Sequence, residues 1–124
     1  MDENVLCTMT HEYVLEKESN YYEVGITDYE ISNLGDIIFI ELPDLNTKFS
    51  KGEVFATIES AMSAKELYMP ISGIVVALNE EVAENPKLLN DENYENKWLI
   101  KIESDANQIE FADLLDYSDY LEEF

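Results

Sequence analysis

The chain has no arginine, one histidine, one cysteine, three prolines and four glycines among its 124 residues. A lone Cys7 excludes an internal disulfide and fits a reducing compartment. With a single His in the whole chain to activate it, Cys7 reads as an ordinary thiol and not as a nucleophile. The same scarcity leaves few parts for acid–base or phosphoryl chemistry. There is no Cys/His set with zinc spacing, no glycine-rich phosphate loop and no nucleophile elbow. Adjacent acids such as Glu80-Glu81 and Glu122-Glu123 read as solvent-facing carboxylates, so no metal site is expected. No apolar run approaches the roughly 20 residues of a membrane span. Met1-Asp2-Glu3 has neither the basic head of a signal peptide nor the Arg-rich character of a transit sequence. The expected location is the cytoplasm, or an organelle matrix if a targeting segment has been removed.

What the chain does have is acid. Seven lysines face 28 Asp and Glu, for a net charge of −21. Such a field repels nucleic acid and anionic lipid, so neither is expected as a partner, and it favours encounter with basic patches on other proteins. An apolar fraction of 46%, with eight Tyr and five Phe, argues for a folded globule over a disordered acidic tail. The length fits one domain over residues 1–124, large enough to bury its own core, and a monomer is expected.

Most of the first hundred residues read as short strands, so the fold class is mainly β. Thr27 to Gly35 fits a short helix, with Thr27 as its cap and Gly35 as its stop. "DIIFIELP" (36–43) is β-branched and ends at a proline, which predicts a buried strand. "TIESAMSAKELYMPISG" (57–73) predicts a hairpin of small residues between two apolar arms, the whole unit covering 54–76. Residues 79–96 read as an acidic, Asn-rich loop. Trp98, Ile100 and Ile102 alternate along a strand over 97–104. Beyond it, Ile109, Phe111, Leu114, Leu115 and Leu121 fall mostly on one helical face, predicting an amphipathic helix over about 107–122 with Asp105 or Asn107 as cap.

Read with its flanks, the hairpin resembles the biotinyl/lipoyl carrier family, and within it the glycine cleavage H-proteins. His11-Glu12-Tyr13 is similar to the family's His-Glu-Trp. "VGIT" (24–27) and "LGDIIFIELP" (34–43) resemble its next signatures. "ESAMSAKELYMPISGIVVALN" resembles the lipoyl hairpin with its exit strand. "NPKLLNDENYENKWLIKIE" resembles the closing Pro-x-Leu-hydrophobic-Asn, Tyr and Trp-Ile-x-Lys-Ile run. The resemblance spans nearly the whole chain and implies a flattened β-sandwich, the barrel-sandwich hybrid of lipoyl domains. It implies a non-catalytic shuttle whose tip lysine carries lipoate. The implied partners are glycine decarboxylase, aminomethyltransferase, dihydrolipoyl dehydrogenase and a lipoate ligase. It further implies that a carboxylate near the His-Glu motif receives the arm's protonated amine: Glu12 by position, with Glu66 a second candidate.

The pattern breaks at its centre. The family reads Glu-Ser-Val-Lys-Ala, and counting from Glu59 to Pro70 places Met62 where the lipoyl lysine belongs. The nearest lysine, Lys65, is three residues on, roughly 10 Å along an extended strand and facing the other way. Lipoate is therefore not expected on this chain. The readings are a paralogue without the lysine, acting as an interaction or regulatory module; a carrier disabled by a Lys-to-Met change; and a carrier lipoylated at a displaced Lys65. A biotin-carrier-like domain is the alternative outside this family.

Overall fold

The computed structural model describes residues 1–124. Ten strands form two antiparallel sheets. In the first half of the chain come β1 (Leu6–Cys7), β2 (Glu12–Glu18), β3 (Tyr21–Ile26), the helix α1 (Asp28–Leu34), β4 (Ile37–Glu41) and β5 (Lys48–Phe49). Then follow β6 (Val54–Ser60), β7 (Ala64–Tyr68), β8 (Gly73–Leu78), α2 (Glu80–Glu84) and a 3-10 turn at Pro86–Asn90. The chain closes with β9 (Ile100–Glu103), α3 (Gln108–Phe111), β10 (Leu115–Asp116) and α4 (Tyr117–Glu122). Seven strands pair in the order β10-β1-β2-β3-β9-β8-β5, and three in the order β4-β6-β7. The fold is mainly β and sandwich-like, as expected.

The main core draws on both sheets, with Val24, Ile26, Ile37, Ile58, Leu67, Val75, Ile100 and Ile102 among its buried residues. Along β2, Val14 faces this core while Tyr13 and Leu15 face the opposite way, as alternation requires. Those two join Val5, Cys7 and Tyr120 in a second, smaller cluster, so the start of β2 is buried on both faces. Tyr13 lies across Gly25 on β3: a β-carbon there would sit 2.7 Å from the Tyr13 ring, so no larger residue fits without displacing it.

The helix at 27–35 forms where expected. The Thr27 side chain accepts from the Glu30 N–H at 3.2 Å, and Ile31 and Leu34 are buried. Gly35 ends the helix at φ +74°, the left-handed region glycine tolerates, with its N–H on the Ile31 carbonyl.

Three expectations need correction. The strand at 36–43 is half exposed: Ile37 and Ile40 are buried, whereas Ile38 and Phe39 are exposed side by side. A shift in register against β6 between Ile37 and Phe39 accounts for this, since a bulge breaks strict alternation. The loop at 79–96 contains α2 and the 3-10 turn. Asn79 holds the start of α2 by donating to the Asn96 and Trp98 carbonyls at 2.8 and 2.7 Å. Asn90, at the end of the turn, accepts from the Ile37 N–H at 2.8 Å and donates to the Gly35 carbonyl at 2.9 Å, pinning the entry to β4.

The single helix over 107–122 is instead two short ones with β10 between them. Asn107 caps the first and Asp116 the second. Leu115 and Asp116 pair with Cys7 and Leu6, where the edge of β1 offers the backbone partners. Ile109, assigned to the apolar face, is 81% exposed.

Candidate functional site at the β6–β7 hairpin

The hairpin tip is built by Ser60. Its backbone N–H donates to the Ser63 carbonyl at 2.8 Å, and its side-chain oxygen accepts from the N–H groups of Met62 and Ser63 at 3.2 and 3.1 Å. These contacts close a turn over residues 60–63, in which Ala61, Met62 and Ser63 are exposed. The Ala61 N–H donates to the Asp36 carbonyl at 2.9 Å, fastening the tip to the end of the α1 segment. Met62 stands at the apex with 78% of its surface exposed. Its sulfur leans toward Gly35, lying 3.7 Å from where a β-carbon on that glycine would be.

A polar cluster lies beneath the tip, where β2, α1 and β7 meet. Glu12 is fully buried. One carboxylate oxygen accepts from the hydroxyls of Thr8 and Thr10 at 2.7 and 2.5 Å, and the other from the Tyr68 N–H of β7 at 3.3 Å. Burial pushes its carboxyl above the ordinary value, opposed by the Thr10, Thr8 and Tyr68 hydrogen bonds and by the charge of Lys65. Glu12 therefore touches the return strand of the hairpin that carries Met62.

Lys65 sits on β7 opposite Ile58, and its ammonium donates to Glu30 of α1 at 2.9 Å. Both side chains are mostly buried, 19% and 12% exposed. Glu66, the next residue, is exposed opposite Thr57, and alternation turns it to the outer face of the sheet. Lys65 is thus paired with Glu30, Glu12 is held to the same strand through the Tyr68 N–H, and Glu66 is left out.

His11 precedes Glu12 with φ +80°, a turn that sends the two side chains different ways. Its Nδ1 is 2.5 Å from the Tyr120 hydroxyl, and its Nε2 is 3.9 Å from Glu30. The Tyr120 hydroxyl also meets Thr27 at 2.9 Å, and the Phe124 ring lies 4.7 Å from the imidazole. Burial lowers the imidazole's proton affinity, with Glu30 opposing and Lys65 adding to the effect. Cys7, inside the second cluster, has its thiol pushed up to about 12 by burial and by Asp116, which makes it inert.

Sequence reasoning missed Glu30, Thr8, Thr10 and Tyr120. Nothing local distinguishes Glu30 from the other 27 acids. Tyr120 was hidden by the reading of a continuous C-terminal helix.

Comparison with known proteins agrees with this architecture. The glycine cleavage H-protein family model matches residues 5–124. A glycine cleavage system H protein of Halothermothrix orenii is 41% identical over 124 residues, covering 98% of this chain and 95% of that protein. One from Bacillus cereus is 44% identical over 108 residues, covering 86% and 84%. The crystal structure of a glycine cleavage system H protein from Mycobacterium marinum superposes with a TM-score of 0.86 at 26% identity, covering 99% of this chain and 98% of that one. The chain belongs to the glycine cleavage H-protein family, the non-catalytic lipoyl carriers of the glycine cleavage system.

Proposed function

We propose that this chain is a carrier body whose arm position is filled by Met62, and that it acts without lipoate by binding the enzymes that handle a lipoyl carrier. The observation that carries this reading is the apex itself: Met62 is presented by the Ser60 turn at 78% exposure. Lipoate is held through an amide, which needs a primary amine at the tip, and a thioether has none. Met62 does not fit the group. Lys65 has the amine, but its ammonium is committed to Glu30 below the tip.

Binding then depends on the surface that remains. A net charge of −21 selects basic faces on glycine decarboxylase, aminomethyltransferase or a lipoate ligase, with an exposed Met as a small adaptable contact at the apex. Such docking weakens with salt, because the Debye length is about 8 Å at physiological ionic strength.

The test is the intact mass of the chain after co-expression with a lipoate ligase, together with its binding to the three enzymes at low and high salt. No lipoyl adduct and salt-sensitive binding are expected. A lipoyl adduct on the unaltered chain contradicts the reading.

A further inference from the structure

Residues 105–124 hold seven acids and no basic residue. In a chain of net charge −21 this stretch repels most of its surroundings, and one cation from elsewhere holds its first part down. The Lys51 ammonium donates to the Pro70 and Glu110 carbonyls, each at 2.8 Å, and lies 2.9 Å from the Asp113 carboxylate. Its three N–H donors thus join the bend before β8 to α3 and to the residue two beyond it. The body side of this contact is fixed. Gly52 makes the turn at φ +87° and donates to the Met69 carbonyl at 2.9 Å, while the Lys51 N–H donates to the Ser72 hydroxyl at 2.9 Å. The Ser72 N–H in turn donates to the Glu110 carboxylate at 2.7 Å. The other side is loosely seated: no residue of α3 is buried, and Ile109 stands in solvent. Phe111 forms one wall of an open groove of about 550 Å³ with Leu6, Val14 and Tyr22. Firm packing begins only at Leu114, which enters the main core, and at Leu115, which pairs with Cys7.

We infer that Lys51 is an electrostatic latch that closes residues 105–113 over the bend at 70–72, and that loss of its charge frees this stretch alone, with Leu114 as the hinge. Of the ion pairs in the protein, only Lys51–Asp113 reaches the stretch, so no second cation takes over when the ammonium is removed. Asp113 is 66% exposed, and solvent screens that pair, so the two carbonyl contacts carry most of the hold. Opening takes the Phe111 ring from Tyr22, now 6.0 Å away between centroids, and uncovers the apolar wall behind it. Tyr120 lies beyond the hinge, so the second core stays shut over Cys7. The stretch is a unit that opens locally while the sheets stay folded. The latch sits at the open end of the β6–β7 hairpin, away from the tip, and nothing about it depends on residue 62.

Limited proteolysis tests this. Chymotrypsin cuts after Phe111 only when the stretch has left the body, so the rate of that cut follows the open population. Lys51→Met keeps an unbranched side chain and removes the charge. The first cut in this variant should fall after Phe111 and come about tenfold or more faster than in the unaltered protein, the scale of a lost charge-assisted hydrogen bond. Lys51→Arg, which keeps the charge, should stay within about threefold of the unaltered rate. Asp113→Asn, which removes only the screened partner, should accelerate the cut by about twofold to threefold. Two further readings fix the boundary in Lys51→Met. The heteronuclear NOE should fall for amides over 106–113 and hold from Leu114 onward, and Cys7 should stay unreactive toward thiol reagents. Equal cleavage of Lys51→Met and the unaltered protein, or Lys51→Arg as labile as Lys51→Met, overturns the latch. An unfolded Lys51→Met, or cuts spread at once over the whole chain, makes Lys51 a support of the entire fold and overturns it equally. A reactive Cys7 in a folded Lys51→Met protein overturns the hinge at Leu114.

Discussion

The tip of the hairpin and the cluster beneath it differ in almost every physical respect. The tip is four residues closed by one serine, with Met62 in water and few partners to lose. The cluster, within the same hairpin and its neighbours, joins β2, α1, β7 and α4 through buried carboxylates, a lysine, an imidazole and a tyrosine. The tip can change its chemistry without touching the fold, whereas each group in the cluster has partners that its removal would strand. A carrier body needs this division: a tolerant point of presentation over a rigid support.

The largest expected effect breaks the cluster from its far side. Tyr120 is fully buried and fills the second core against Cys7, Tyr13 and Leu15 while its hydroxyl serves His11 and Thr27. Tyr120→Ala should cost about 3 to 5 kcal/mol, read from urea unfolding. It should also open Cys7 to thiol reagents that leave the unaltered protein unmodified. Next is Glu12→Ala, which strands the Tyr68 N–H and the hydroxyls of Thr8 and Thr10. A loss of about 2 to 3 kcal/mol is expected by the same measurement.

A smaller effect separates the regions by pH. His11 is the only histidine, and burial holds its folded proton affinity below the ordinary 6.5. The unfolded chain therefore binds the proton first, and this contribution to stability is lost as pH falls from 6.5 to the lowered value. Glu12, shifted upward, works in the opposite sense over its own window above 4.5: its folded form takes the proton first, which favours the fold as pH falls. His11→Asn, which tolerates the left-handed backbone, should flatten the stability slope just below pH 6.5. At the tip, by contrast, Met62→Lys should change stability by no more than about 0.5 kcal/mol.

What the sequence made legible followed from local rules. The α1 helix could be read because Thr27 and Gly35 satisfy its two ends within the segment itself. The hairpin and Met62 could be read because the motif spacing is fixed by the strands on either side. What stayed hidden depends on contacts between distant segments. The bulge in β4 exposes Ile38 and Phe39 through pairing with β6, which no periodicity in 36–43 records. The C-terminal helix breaks because Leu114 packs into the main core, Tyr120 into the second, and the edge of β1 takes Leu115 and Asp116 between them. Glu30 and Lys65 stand 35 residues apart in an acidic chain, and only the fold selects that partner.

The central claim is that the body is an intact carrier and that residue 62 alone withholds the arm. It is tested most directly by intact mass after co-expression of Met62→Lys and of Met62→Lys/Lys65→Ala with a lipoate ligase. The account predicts one lipoyl group on each variant, localised by peptide mapping to residue 62. A folded Met62→Lys protein that gains nothing, or a lipoyl group that maps to Lys65 and is absent when Lys65 is replaced, would contradict it.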